Sequence, residues 1–335
     1  MCAPHFLTME YHPQVDRDEE LTERLGDMPS QLIFIMGCHR SGTTFLHHLL
    51  ATCGSFDYVS AYEVIRYPTI LHNRVHGLDE ESKSALQAEL LAEGPNRGID
   101  QVEVDVNAPE EYGFILPGYD LFVPRITPDN KEQFEILCRK KRWLSGVDQP
   151  LLLKEPNEFY GNLLTVQQFY PDASYIINHR HPLTVLASHI ASWSSVYDEK
   201  NAYLYLLNQR YREIMDSPIE RMHHRLFMHT EKAVELVLNQ LIKAFDDYLT
   251  QREQIESSPC FTLRYEDLCE EPDAIISDLL AFLDRPQRVA LREKVSRRMR
   301  PAPDVVQRVY ERNVDRIRPY LDALEYDTYP SVMCG

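Results

Sequence analysis

The stretch IFIMGCHRSGTTFLHHLL, residues 33–50, constrains the fold of this chain more than any other. An apolar run leads to Gly37, four residues separate it from Gly42, and hydroxyl side chains then open an amphipathic helical pattern. A strand, a glycine-bounded loop and a helix aim several backbone N–H groups and the positive helix end at one point, an arrangement that suits a phosphate. The spacing is that of the loop G-x-x-x-x-G-K-[ST] except at the lysine, where Thr43 stands. The strong cation of this loop is Arg40, three positions earlier.

The remainder of the chain supplies the context such a loop needs. QLIFIM (31–36), PLLLKEP (150–156), ASYIINHR (173–180) and CFTLRYEDL (260–268) are short apolar runs, the pattern of strands buried on both faces of a parallel sheet. Val234, Val237, Leu238, Leu241, Phe245 and Tyr248 recur at helical spacing and predict a helix over roughly 229–255. Pro128-Asp129 opens another, closing near Gly146. The expected fold class is α/β, a three-layer fold like that of the P-loop NTPases, with a central parallel sheet and helical insertions. Residues 1–29 are expected to form an N-terminal arm and 30–335 a single domain, with insertions near 57–148 and 190–258 building a pocket over the strand ends.

Charge and composition exclude several partners. The 35 basic and 52 acidic side chains give a formal charge of −17, which repels nucleic acid and anionic membranes at long range. The seven cysteines are scattered, without C-x-x-C pairs or zinc-ligand spacing, and read as reduced thiols with no metal site. The start MCAPHFLTMEYHPQVDRDEE lacks a basic segment followed by an apolar one, and no run approaches 18 apolar residues, so a cytoplasmic protein with no membrane partner is expected.

Two further segments decide what the loop holds. In IINHRHPLTVLASHIASW, Arg180 ends a strand and Ser188 lies eight residues on, about two turns into a helix, so both can converge on a second phosphate. In LLLKEPNEF, Lys154 also ends a strand and can face the first phosphate site. Taken singly, a cation at a strand end is most often just solvated. Together, RSGTT, LKEPN, FYPDASYIINHRHP with its later Ser, and RYEDLCEEP resemble, in order, the sulfotransferases that use 3′-phosphoadenosine 5′-phosphosulfate (PAPS), over roughly residues 31–272. The closest branch has Arg in the loop, as in tyrosylprotein sulfotransferases and bacterial small-molecule enzymes.

The resemblance implies a role for each residue. Arg40 and the backbone of Ser41, Gly42, Thr43 and Thr44 would hold the 5′-phosphosulfate, Lys154 would stabilise charge on the sulfuryl group and the bridging oxygen, and Arg180 and Ser188 would select PAPS. The product would be 3′-phosphoadenosine 5′-phosphate (PAP). Sulfuryl transfer has a loose in-line transition state in which positioning and cationic stabilisation dominate, and the group transferred carries less charge than a phosphoryl group, so no metal is expected. Cytosolic relatives place a His base two residues after the lysine, where this chain has Pro156. In the Arg-loop branch the base is a Glu after the loop helix, and Glu63 in DYVSAYEVIRYP is the first candidate, with Glu110 and Glu111 behind it. His39, His47, His48, His179 and His181 flank the site without ligand spacing. RRMRP (297–301) reads as a solvated face and the aromatic groups at 112–122 and 193–206 as core. A neutral or cationic small hydroxyl acceptor is expected, with a tyrosine-containing peptide second. The rival readings are a nucleotide kinase, disfavoured by Thr43 in place of Lys, and a non-catalytic nucleotide-binding protein.

Overall fold

The computed structural model of the chain describes residues 15–93, 103, 105–116, 124–288 and 302–330. Five strands form one sheet in the order β2-β3-β1-β4-β5, with every pairing parallel. They are β1 (Leu32–Met36), β2 (Asp57–Tyr58), β3 (Leu151–Lys154), β4 (Ser174–His179) and β5 (Cys260–Arg264). Four lie within the segments singled out from apolar character. The two-residue edge strand β2 carried no such signal, being too short for a pattern. The end of the fourth segment, YEDL, turns instead into a short helix, Tyr265–Glu270.

Seven helices matter for the site: α1 (Thr43–Thr52), α2 (Ala61–Ile65), α3 (Lys131–Ser145), α4 (Pro182–Asp198), α5 (Pro218–Met228), α6 (Glu231–Glu256) and α7 (Pro272–Phe282). Alternation along the strands divides the core. Ile33, Ile35, Leu152, Ile176 and Leu263 pack with Leu46, Leu49 and Leu50 of α1 and Ile276 and Leu279 of α7. Phe34, Met36, Leu153, Tyr175 and Ile177 point the other way, toward Phe134 and Leu137 of α3, Leu186 of α4 and the apolar stripe of α6. The sheet is thus the middle of three layers, the three-layer α/β fold expected, and its central strands β1 and β3 carry apolar runs because neither of their faces meets water. All six apolar positions that foretold α6 are buried, and Thr230 caps it by accepting from the Ala233 N–H. Gly146 ends α3 at φ 67°, in the left-handed region.

The insertion between β2 and β3 is tied to the core through Glu158, which accepts from the Tyr112 hydroxyl at 2.9 Å and the Ile126 N–H at 2.8 Å. Burial pushes its carboxyl up to about 7. Within the N-terminal arm, Asp18 is fully buried, bonded to Lys140 Nζ at 2.8 Å and to the backbone N–H groups of Leu71 and His72. Among the described residues no helix is long and apolar enough to cross a membrane. The RRMRP cluster lies outside the described residues, as do the first 14 residues of the arm.

Candidate active site

Four neighbouring strands deliver the site residues from their C-terminal ends. The loop follows β1, Lys154 is the last residue of β3, Arg180 follows β4 and Tyr265 follows β5. In an open parallel sheet this edge is where ligands bind, because loops there are free to diverge.

The loop between β1 and α1 is tightly drawn. Gly42 has φ 100°, and a Cβ there would lie 2.2 Å from Cδ2 of the Tyr265 ring. Arg40 also adopts a left-handed backbone at φ 70°, a conformation that costs a residue with a Cβ about 1–2 kcal/mol. Its carbonyl accepts from Arg180 Nη1 at 3.0 Å, and its Nε donates to Ser188 Oγ at 3.1 Å. Arg40, Arg180 and Ser188, 148 residues apart at the extremes, are thereby joined into one cluster. Arg180 lies with its guanidinium 4.4 Å from the centre of the Tyr265 ring. Tyr265 thus packs beneath the loop glycine and the strand-end arginine at once. It belongs to RYEDL, which sequence reading noted as a motif without assigning Tyr265 a part.

The first-turn N–H groups of α1 are left without intrahelical partners at the loop end of the helix. A cavity of about 770 Å³ opens there, lined among others by Arg40, Gly42, Thr43, Thr44, Arg180 and Tyr265. Ser41 Oγ and Asn178 Oδ1 are buried beside the loop without a hydrogen-bond partner, while Asn178 Nδ2 holds the Ser41 carbonyl at 3.2 Å.

Lys154 is 2% exposed, and its ammonium meets Glu111 Oε1 at 2.6 Å and Thr44 Oγ1 at 2.9 Å. The cation from β3, the hydroxyl from α1 and a carboxylate from the insertion therefore share one point. Glu63 is placed differently. Its Oε2 accepts from the Ser60 N–H and hydroxyl, completing a capping box on α2, and its Oε1 accepts from Lys141 Nζ at 2.8 Å. It lines neither large cavity, and neither do Glu111 and Lys154. The sequence signal that could have separated these roles is Ser60, three residues before Glu63. Glu110 is turned inward, 1% exposed, and accepts from the Glu111 N–H at 2.9 Å.

Around this point burial shifts neighbouring groups toward their neutral forms. Glu155, next to Lys154, is held well above the ordinary carboxyl range by burial and by the nearby Glu111 charge. His39 is lowered chiefly by burial, opposed by Glu111 and assisted by Lys154 and Arg40. His47 is lowered well below its usual value for the same leading reason.

A profile of the sulfotransferase family matches residues 31–227, more than half of the chain and every residue of the cluster except Tyr265. The chain belongs to the sulfotransferase family. Among solved structures this sulfotransferase is similar to STF9 of Mycobacterium avium, with 16% identity over 93% of this chain and 80% of the other and a TM-score of 0.57. It is also similar to STF1 of Mycobacterium tuberculosis H37Rv, with 15% identity over 88% and 79% of the chains and a TM-score of 0.51. At these identities the likeness is one of fold. A search of curated proteins gave no match. The protein is accordingly an enzyme of sulfate transfer.

Proposed function

We propose that the protein transfers a sulfuryl group from PAPS to the hydroxyl of a small acceptor. The observation that carries this reading is the convergence of Arg40, Arg180 and Ser188 beside the N-terminus of α1 with the buried Lys154–Glu111 pair one strand away. The loop's fit to an anionic nucleotide rests on orphaned Ser41 Oγ, the cation cluster and a glycine whose replacement would meet Tyr265.

In this reading the loop backbone, Thr43, Thr44 and Arg40 hold the 5′-phosphosulfate, and Arg180, set by Tyr265, pairs with the 3′-phosphate together with Ser188. PAPS supplies an activated sulfur–oxygen bond. Lys154 hydrogen-bonds the bridging oxygen, which takes the electron pair as the bond to sulfur breaks. The acceptor oxygen forms the new bond to sulfur, and its proton passes to a carboxylate. We assign that base to Glu111 rather than Glu63, because Glu63 has both oxygens committed to Ser60 and Lys141 whereas Glu111 stands against Lys154. Glu111 balances the lysine charge, and Thr44 accepts one of its hydrogen bonds, until an anionic donor draws the ammonium away, which releases Glu111 to accept the proton.

Calorimetry with PAP, 5′-AMP and ATP, followed by transfer assays with radiolabelled PAPS, tests the reading. PAP should bind far more tightly than 5′-AMP, and label should move to a hydroxyl compound. Equal affinity for PAP and 5′-AMP, or no transfer to any acceptor, would refute it.

A further inference from the structure

A second cavity, of about 780 Å³, lies against the other side of the loop cluster. Its relation to the first is set by adjacent residues. Arg40 lines the first cavity and bonds to Ser188, and the chain neighbours of these two, His39 and His189, line the second. Asn157 and Tyr160, just beyond Lys154 in the chain, complete its inner end, where His39 Nε2 lies 2.9 Å from Asn157 Oδ1. The outer walls are Trp193 and Tyr197 of α4, Phe227 and Met228 of α5, and Leu236 and Val237 of α6.

Resting on the sulfotransferase reading above, we propose that this cavity is the acceptor site and that it takes a lipophilic alcohol or phenol, a hydroxyl carried on an extended uncharged apolar body. Three observations favour this class. The walls are dominated by aromatic and aliphatic side chains, and the size suits a small molecule. Polar groups at the inner end can meet a hydroxyl, for His189 is 8% exposed with its Nδ1 buried without a hydrogen-bond partner, while His223, His224, Gln240, Lys243 and Asp247 line the α5 and α6 walls. A neutral imidazole there is an orienting partner for a hydroxyl, and burial does hold His189 far below the usual range, to about 3. The apolar surface also continues outward, since Leu236 at the mouth is 50% exposed and Ile219, Met222 and Leu226 of α5 are exposed at 77%, 58% and 63%. Those three recur at helical spacing on one stripe beside the lining residues Phe227 and Met228, so an acceptor longer than the cavity would still meet apolar surface. Lys243 and Asp247 on the lining offset each other in charge, consistent with an uncharged body.

The protein's two tryptophans make the test direct. Trp143 lies on α3 and lines a different cavity, whereas Trp193 lies in this one. In a Trp143→Phe background saturated with PAP, titration with decanol and with 2-naphthol should give a saturable change in Trp193 emission, and glucose should give none. Leu236→Arg, at a half-exposed position that tolerates the change, should weaken the binding of both by about tenfold or more, with PAP affinity measured by calorimetry unchanged. Radiolabel from PAPS should pass to decanol or 2-naphthol with the same loss in kcat/KM. If PAP binds normally but neither lipophilic compound perturbs Trp193, or if Leu236→Arg leaves their affinities unchanged, the acceptor assignment is wrong while the donor site stands. If PAP itself fails to bind, the sulfotransferase reading falls, and saturable binding of the alcohols would then mark only a lipophilic pocket, which overturns the acceptor role as well.

Discussion

Lys154 Nζ stands 2.6 Å from Glu111 Oε1, and the lysine is 2% exposed. A buried ammonium costs several kcal/mol unless it is paired, and the pairing carboxylate here comes from an insertion 43 residues earlier in the chain. The contact therefore fixes this segment against β3 and sets the charge of the candidate reaction centre.

From this pair follows an ordering of the carboxylates. Glu111→Gln should lower kcat by about two to four orders of magnitude with PAP affinity little changed, the usual cost of losing a general base. Glu63→Gln should leave kcat within a fewfold of wild type and instead cost about 1 kcal/mol or more in urea unfolding, because it disturbs the α2 cap and the Lys141 pair. The reverse pattern in steady-state kinetics would return the base to Glu63.

Arg180 should govern nucleotide choice. Arg180→Ala removes the proposed partner of the 3′-phosphate and the cation over Tyr265, so the preference for PAP over 5′-AMP should shrink by about tenfold or more, corresponding to roughly 1.5–3 kcal/mol for a charge-assisted hydrogen bond. Tyr265→Ala should weaken PAP binding in the same direction but less. A preference that survives Arg180→Ala intact would remove this residue from the site.

At Gly42 the backbone and the space around it both exclude a side chain. Gly42→Ala would strain a φ of 100° and drive a methyl group into the Tyr265 ring, so stability should fall by about 1–3 kcal/mol and PAP binding should weaken sharply. Thermal melts with and without PAP separate the two effects, since a variant whose PAP-induced shift equals that of wild type would show that the loop accommodates the methyl group.

The raised pKa of the buried Glu155 carboxyl carries a pH signature. Its folded-state pKa is raised, so as pH climbs past the ordinary Glu value of about 4.3 the unfolded chain releases a proton that the folded protein retains, and stability falls with rising pH until the folded pKa is passed. Glutamine does not titrate, keeps the oxygen that accepts from the Asn157 N–H and side chain, and places its amide where Oε2 has no partner. Relative to wild type, Glu155→Gln should therefore gain stability progressively in urea unfolding as pH rises above the ordinary Glu value. A pH-independent difference would mean that Glu155 is ionised in the folded protein.

Much of the architecture was legible before the structure. Strands such as LIFIM and LLLK announce themselves because residues buried on both faces leave an unbroken apolar run, and α6 does so because its six apolar positions keep one stripe. The loop could be recognised from Gly37 and Gly42 because a positive φ and a close contact tolerate few other residues. Glu63 shows where local reading stops. A Glu after the loop helix satisfies the expectation for a base, and the same residue satisfies a capping box three positions after Ser60. Both patterns are local, and choosing between them depends on Lys141 and Lys154, which lie far along the chain.

The amino-acid sequence by itself determined the parallel sheet, the phosphate-type loop with Thr43 at the lysine position and Arg40 three residues earlier, and the strand-end cations, because each depends on neighbouring residues and on hydrophobic periodicity. Only the tertiary structure decided that Glu111 meets Lys154, that Tyr265 packs under both Gly42 and Arg180, and that His39 and His189 turn from the loop cluster into a second, apolar cavity. These are meetings between segments 43 to more than 200 residues apart, produced by the register of parallel strands and the packing of insertions, and no local propensity encodes which side chain will be opposite which.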